Sequence, residues 1–388
     1  MKKLRILFLS LLLLAAILLS SCAQLYSYIG GFSPSETTSP ETAKPSETKK
    51  PSATTTQRPA STTLAPSETE PEIPEVLYRH PLTGKEIRED LSNYRAIAFV
   101  VNNNYLSTPQ DGIGSADILC EFPCKDGTTT LLAIFKNAGD GARVGPLGTA
   151  TSVMLDVASG FDAVLFSANV SETVGKMNLS KKLYYYEDEN FMYYGFFEDP
   201  YRKSSMGYRY CIIGEGARLL NAAKESGAKG TSANTFASIF KFYEGETEYQ
   251  VPNGKNAKNV YIPFSSNQHV QLVYSASEQK YYRYQYGARI HTDALTGQAI
   301  AFTNLFLLTA NTDDTNAEDP DEISLSASTR GSGYFVSHGK YVAINWVKGS
   351  DGAYRFYNTA GAQLQIPEGQ SYMAFLTKAQ MSSIDYNH

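Results

Sequence analysis

Ala96-Ile97-Ala98-Phe99-Val100-Val101 is a run of six apolar residues that ends on the polar pair Asn102-Asn103. It is too short for a buried helix and shows no alternation, so it reads as a strand covered on both faces. Residues 116–122 and 129–135 repeat the pattern. A helical stretch at 150–159, a strand at 163–167, a helix at 171–179, a strand at 209–213 and a helix at 215–226 follow. Strands interleaved with helices predict an α/β domain over residues 76–230. From residue 260 onward, strand-like runs recur about every ten residues. Turn residues such as Gly331-Ser332-Gly333 and Gly349-Ser350-Asp351-Gly352 separate several of them. That rhythm predicts a mainly antiparallel β domain over residues 235–388. The expected fold class is α+β overall, an N-terminal α/β domain followed by a mainly antiparallel β C-terminal domain.

The first 22 residues carry a different message. Lys2, Lys3 and Arg5 precede an apolar run from Ile6 to Leu19, and Leu19-Ser20-Ser21-Cys22 closes it. A basic start, a short apolar core and small residues before a boundary describe an export signal. A cysteine directly after the small pair is the bacterial lipobox pattern. Residues 1–21 are therefore expected to be a lipoprotein signal peptide, with Cys22 the acylated first residue of the mature chain. The rival, an uncleaved anchor, has fewer apolar residues than the ~20 a span needs. The expected location is the outer face of the cytoplasmic membrane, with the bilayer as a partner through Cys22.

Residues 22–75 form the expected tether. Between Ser33 and Glu75, Ser, Thr and Pro fill 25 of 43 positions and there is no aromatic residue. Such a stretch buries too little apolar surface to offset its ordering entropy. As a coil, the 53 residues from Ala23 to Glu75 would span about 40 Å root-mean-square.

The full chain of 388 residues has a formal net charge of −5, and loss of Lys2, Lys3 and Arg5 with the signal takes it to −8. No basic block remains to displace phosphate counterions, so a nucleic-acid partner is excluded. A negative body is also repelled by anionic headgroups. The chain lacks GxSxG, HExxH, GxxxxGK[ST] and paired CxxC patterns. No catalytic residue set, cofactor or metal site is predicted from motifs. Gly214-Glu215-Gly216 reads as a glycine turn into a helix, because Leu219 stands where a dinucleotide fingerprint needs its third glycine. Cys120, Cys124 and Cys211 read as reduced, buried thiols. The acidic run 313–322 reads as a solvated loop. Glu121 stands out as a carboxylate inside an apolar strand, where an unpaired charge is costly. It either alternates outward or lines a cleft at the strand end.

The chain resembles the YerB-like bacterial lipoproteins, a family without an assigned function. The resemblance rests on His80-Pro81-Leu82-Thr83-Gly84, Ala98 through Asn103, Gly114 through Glu121, Gly127-Thr128-Thr129-Thr130, Arg143-Val144-Gly145-Pro146 and His291-Thr292-Asp293-Ala294-Leu295-Thr296-Gly297. It implies an α/β domain and a β-rich domain behind a lipidated leader. It also implies arginines where this chain has Thr130, Gly148 and Thr151, and a histidine-bearing stretch where it has Ser204 through Tyr208. The expected crevice has thus lost fixed positive charge, which argues against an enzyme acting on anionic substrates.

The favoured expectation is a non-catalytic envelope protein that binds a partner protein or glycan. Its candidate binding residues are Asn102, Glu121, Arg143, Gly145, His291 and Asp293. A cell-wall hydrolase or transferase would use Glu121 as general acid/base, with Asp117, Asp162 or His291 assisting. A solute-binding lipoprotein is the third reading.

Overall fold

The computed structural model describes residues 76–179, 182–232, 239–312, 325–326 and 330–388. The signal peptide, Cys22, the tether and the acidic run 313–322 lie outside the described residues.

In chain order the principal elements are β1 (Ile97–Asn102), β2 (Ile118–Pro123), β3 (Thr129–Phe135), β4 (Thr149–Ala150), α1 (Ser152–Gly160), β5 (Val164–Ser167), β6 (Asn169–Val170), α2 (Glu172–Gly175), β7 (Leu183–Tyr185) and α3 (Gly216–Glu225). They continue with β8 (Lys255–Asn256), β9 (Asn259–Pro263), β10 (His269–Ser275), β11 (Lys280–Gln285), β12 (Asn304–Thr309), β13 (Arg330–Ser337), β14 (Lys340–Lys348), β15 (Tyr354–Asn358) and β16 (Ser371–Leu376). The apolar runs read from the sequence are the strands, and the Gly214 turn does open a helix, α3.

One eleven-stranded sheet carries both halves of the sequence. Its order is β8-β14-β13-β12-β16-β2-β3-β1-β5-β7, with β15 hydrogen-bonded to β14. The join is β16 beside β2, parallel, with Met373 opposite Cys120 and Ala374 opposite Glu121. The expected boundary at residues 230–235 therefore divides the sequence while the backbone hydrogen bonds run across it. Residues 72–388 form one compact unit.

The architecture is mostly strand, with few helices. β1, β2, β5, β7, β12 and β16 point the same way, while β3 is the antiparallel insert between β1 and β2. Such a sheet must be covered on both faces, and it is. Ala98, Val100, Cys120 and Phe122 face a core with α1 and Phe306, Phe335 and Phe375. Ile97, Phe99, Val101 and Leu119 face a second core. That second core includes Val260, Ile262, Val270, Leu272 and Tyr281 from the smaller antiparallel sheet β9-β10-β11. Each fully buried Phe or Leu contributes about 1.5–3 kcal/mol relative to exposure. Alternation along β11 buries Tyr281, Arg283 and Gln285 and turns Tyr282 and Tyr284 outward.

Candidate functional site

Glu121 points inward. It shares the β2 face of Leu119, which the β9-β10-β11 sheet covers, and it is fully buried. Four donors surround it. Thr129 Oγ1 (2.6 Å) and Asn103 Nδ2 (3.2 Å) donate to Oε1, and Arg283 Nη2 (2.7 Å) and Tyr372 OH (2.7 Å) donate to Oε2. Arg283 also donates through Nη1 to Gln285 Oε1 at 2.8 Å and to His291 Nδ1 at 2.5 Å. Because Nδ1 accepts, the ring proton sits on Nε2, which donates to Gln110 Oε1 at 2.7 Å. Gln110 Nε2 donates to Asn103 Oδ1 at 3.0 Å, closing a ring of side chains from Glu121 back to Glu121. Burial, then the Arg283 charge, holds the His291 imidazole well below its ordinary pKa, so it stays neutral.

This ring corrects two expectations. Glu121 neither alternates outward nor lines a cleft, because both sheet faces are covered. A hydrolase using Glu121 as acid/base has no support in this geometry: the carboxylate is spent on four internal partners and shielded from any substrate.

Arg143 sits apart from that ring. Its Nε donates to Asp111 Oδ2 at 2.8 Å, its Nη2 pairs with Asp199, and its guanidinium covers the Phe197 ring. Arg202 takes the other Asp111 oxygen at 2.8 Å. Gly112 makes the turn beside this cluster with φ +75°, and a Cβ there would lie 2.0 Å from the Arg143 carbonyl oxygen. Gly145 is buried, and a Cβ on it would come 2.7 Å from Ile213 Cδ1. Its conservation of space is structural. Asp293 accepts from the Gly114 and Leu295 N–H groups, each at 2.8 Å, and so shapes its own turn. Of the six expected binding residues, Glu121 and His291 meet in the closed ring, Arg143, Gly145 and Asp293 hold backbone or ion pairs elsewhere, and Asn102 alone lines an open cavity.

Asp117 and His80 form another buried pair, His80 Nε2 lying 3.4 Å from Asp117 Oδ1. Asp117 Oδ2 accepts from the Lys136 N–H at 2.6 Å. Burial pushes the Asp117 carboxyl up to about 7. Burial first, then the Lys136 and Lys85 charges, lowers His80 to about 4. Asp162, the other proposed assistant, sits 3.6 Å from Arg95 Nε. Cys120, Cys124 and Cys211 are free thiols, and burial raises the Cys124 pKa to about 11. Among the described residues no three His, Cys, Asp or Glu side chains gather to hold a metal.

The open cavity measures about 550 Å³. It forms where the parallel strands end: Asn102 closes β1 and Asn104 follows it, Lys125 and Asp126 follow β2, Ala168 follows β5 and Glu187 follows β7. Thr130 enters from the start of β3, and Thr151 and Ser171 stand at the residue before α1 and α2, where only Ser171 caps its helix through its side chain. In open sheets of this kind, ligands bind outside the carboxyl ends of the strands. The lining is rich in amides and hydroxyls, with Tyr208 and Tyr210 on one wall. Asn102 Nδ2 donates to the Leu147 carbonyl at 2.9 Å, which fixes one corner. Thr130, Gly148, Thr151 and Tyr208, the positions where the resemblance implied lost cations or a lost histidine, all reach this same cavity. The expectation of a crevice without fixed positive charge is corrected here, because Lys125 and Arg209 line it. Sequence reading missed Arg209 because a lone exposed arginine in Tyr208-Arg209-Tyr210 carries no pattern.

A second cavity of about 540 Å³ is bordered by Arg79, Lys85, Tyr249, Glu278 and His338. No helix among the described residues is long and apolar enough to cross a membrane.

Residues 82–229 match the family model described as protein of unknown function (DUF3048) N-terminal domain, and residues 260–373 match its C-terminal domain. The Bacillus subtilis (strain 168) protein named "Putative lipoprotein YerB" is 26% identical over 273 residues, covering 69% of this chain and 77% of that protein. The crystal structure of YerB protein from Bacillus subtilis has the same fold, with a TM-score of 0.66 at 22% identity, covering 79% of this chain and 99% of that one.

Proposed function

We propose that this chain, which belongs to the DUF3048 family of unassigned function, is a lipoprotein that binds a cell-envelope glycan without acting on it chemically. The relationship to a Bacillus lipoprotein supports the coarser reading, a lipoprotein of unassigned role. In the finer reading, Cys22 carries the acyl group, residues 23–75 hold the folded unit off the outer face of the cytoplasmic membrane, and the cavity does the binding.

One observation carries the glycan assignment: the cavity at the carboxyl edge of the sheet is walled by amides, hydroxyls and tyrosines. Planar amides and hydroxyls suit sugar hydroxyls, and tyrosine offers an apolar face with a polar tip. Tyr208 is about half exposed, with Lys203 Nζ over one face of its ring at 5.4 Å from the centroid. The reading as a non-enzyme is supported by Glu121 and His291 being tied into one ring and neither lining this cavity, although Thr129, a donor to Glu121, borders it. The test is titration calorimetry with soluble peptidoglycan fragments. Saturable binding that weakens when Tyr208 is changed to Ala is expected. Absence of binding to any glycan fragment, or turnover of the fragments during the titration, would overturn the proposal.

A further inference from the structure

The second cavity lies at the other edge of the large sheet. The first is walled by the carboxyl ends of parallel strands. Here the chain enters such strands, with Thr303 just before β12 and Gln370 just before β16. Beside them β13 turns into β14 through His338 and Gly339, with Ser337 paired to Lys340. Both turn residues are left-handed, φ +48° and +72°. Asn-Gly is the usual pair in such a turn, and histidine stands here where asparagine would serve.

The hydrogen bonds fix how that histidine faces the cavity. Ser337 Oγ donates to the Thr303 carbonyl at 2.9 Å. A serine hydroxyl has one proton, so in the 2.8 Å contact with His338 Nδ1 the imidazole is the donor. The lone pair of the neutral ring therefore sits on Nε2, which has no hydrogen-bond partner among the described residues. The half-buried His338 side chain lines the cavity. Thr303, tied to it through Ser337, lines the cavity as well and is only 8% exposed. Its hydroxyl has no partner among the described residues either, although a polar group so deeply buried ordinarily has one. Gly369 keeps the adjoining space clear, since a Cβ there would lie 2.1 Å from Thr303 Oγ1.

The charge at this spot is negative. Glu248, on the same cavity, accepts from Gln279 Nε2 at 2.6 Å, which places its carboxylate without neutralising it. Burial lowers the His338 pKa and the Glu248 charge opposes that lowering. Arg79, Lys85 and Lys280 border the cavity too, but none of them acts on His338. Arg79 lies over the Phe242 ring, and the Lys85 charge acts on His80 and Asp117. An imidazole lone pair, a hydroxyl and a carboxylate are three acceptors, which match the three N–H donors of an ammonium group.

We infer that His338, Thr303 and Glu248 form an ammonium subsite, so the second cavity takes a ligand that carries a primary amine. This goes beyond the glycan reading and does not depend on it. When bound, the ammonium donates to His338 Nε2, to Thr303 Oγ1 and to a Glu248 oxygen.

The test is calorimetric titration of the full chain with two capped tripeptides, acetyl-Ala-Lys-Ala-amide and its norleucine counterpart, which differ by one ammonium group. The lysine peptide should bind about tenfold tighter, the range expected for charge-assisted hydrogen bonds. Its advantage should shrink as salt rises. Ethanolamine, run as a third probe, separates the sources: affinity equal to that of the lysine peptide assigns a free small amine, and weaker binding assigns an amine borne on a peptide. His338→Asn suits the left-handed turn and removes Nε2. Thr303→Val keeps the side-chain shape and removes the unpartnered hydroxyl, so its unfolding midpoint should stay level or rise. Each variant should bring the two peptides to equal affinity. Equal affinity in the unaltered chain, a preference that survives either substitution, or failure of both the lysine peptide and ethanolamine to bind would overturn the inference.

Discussion

Two polar regions meet at the end of β1 and the start of β3 and behave in opposite ways. In the ring around Glu121 every buried side-chain polar atom except Arg283 Nε has a partner, and all members are buried, with Thr129 at the border of the cavity. In the cavity at the sheet edge, Thr151 Oγ1 lacks a partner and Arg209 lacks a counter-ion among the described residues. Asn102 and Asn103, consecutive in β1 and its exit, fall one into each region. A carboxylate, an arginine and a histidine in contact look like chemistry, but mutual satisfaction makes them structure. Groups left wanting partners at an open edge are the ones available to a ligand.

The largest expected effect belongs to the ring. Glu121→Gln leaves the Arg283 charge buried without its counter-ion, and loss of one partner of a buried pair costs about 3–5 kcal/mol. Urea unfolding should show that loss, and a change below ~1 kcal/mol would mean that the ring is not a closed structural unit.

Next comes the Asp117–His80 pair. Asp117 is raised in the folded chain, so its contribution is present at low pH and lost as pH climbs towards 7. His80 is lowered, so its contribution is lost as pH falls from 6.5 towards 4. Over pH 4–6.5 the two oppose each other. Asp117→Asn leaves His80 unbalanced, and stability relative to the unaltered chain should then fall as the buffer is taken from pH 6.5 to 4. A pH-independent difference between the two proteins would break this account.

The smallest effects separate the two helix junctions and the free cation. Ser171→Ala removes a working cap and should cost about 1 kcal/mol, while Arg209→Ala should stay within ~0.5 kcal/mol. Thermal unfolding of both variants checks the contrast. Equal losses would erase the distinction between consumed and available groups.

Much of the fold was legible because uninterrupted apolar runs of strand length have few alternatives: 97–102, 118–123 and 129–135 were readable almost to the residue. The union of both halves in one sheet was not, because it depends on β16 pairing with β2 about 250 residues earlier, and nothing local specifies that partner. The site was legible in reverse. Glu121 drew notice as a charge in an apolar strand, but its partner Arg283 hid within Tyr281-Tyr282-Arg283-Tyr284, where the tyrosines invite attention. Period-two alternation, which puts Arg283 on the face of Tyr281, was the available signal. Thr151 carried none of its own, because an unpaired hydroxyl becomes visible only once the neighbouring junction shows what a paired one looks like.

Hydrogen–deuterium exchange of the full chain, with and without N-acetylglucosaminyl-N-acetylmuramic acid, tests most directly where ligand binds. Slowed exchange should appear at residues 102–104, 147–152 and 208–210, the walls of the carboxyl-edge cavity. Protection at 244–249 and 278–280, which border the second cavity, with those three segments unchanged, would contradict it.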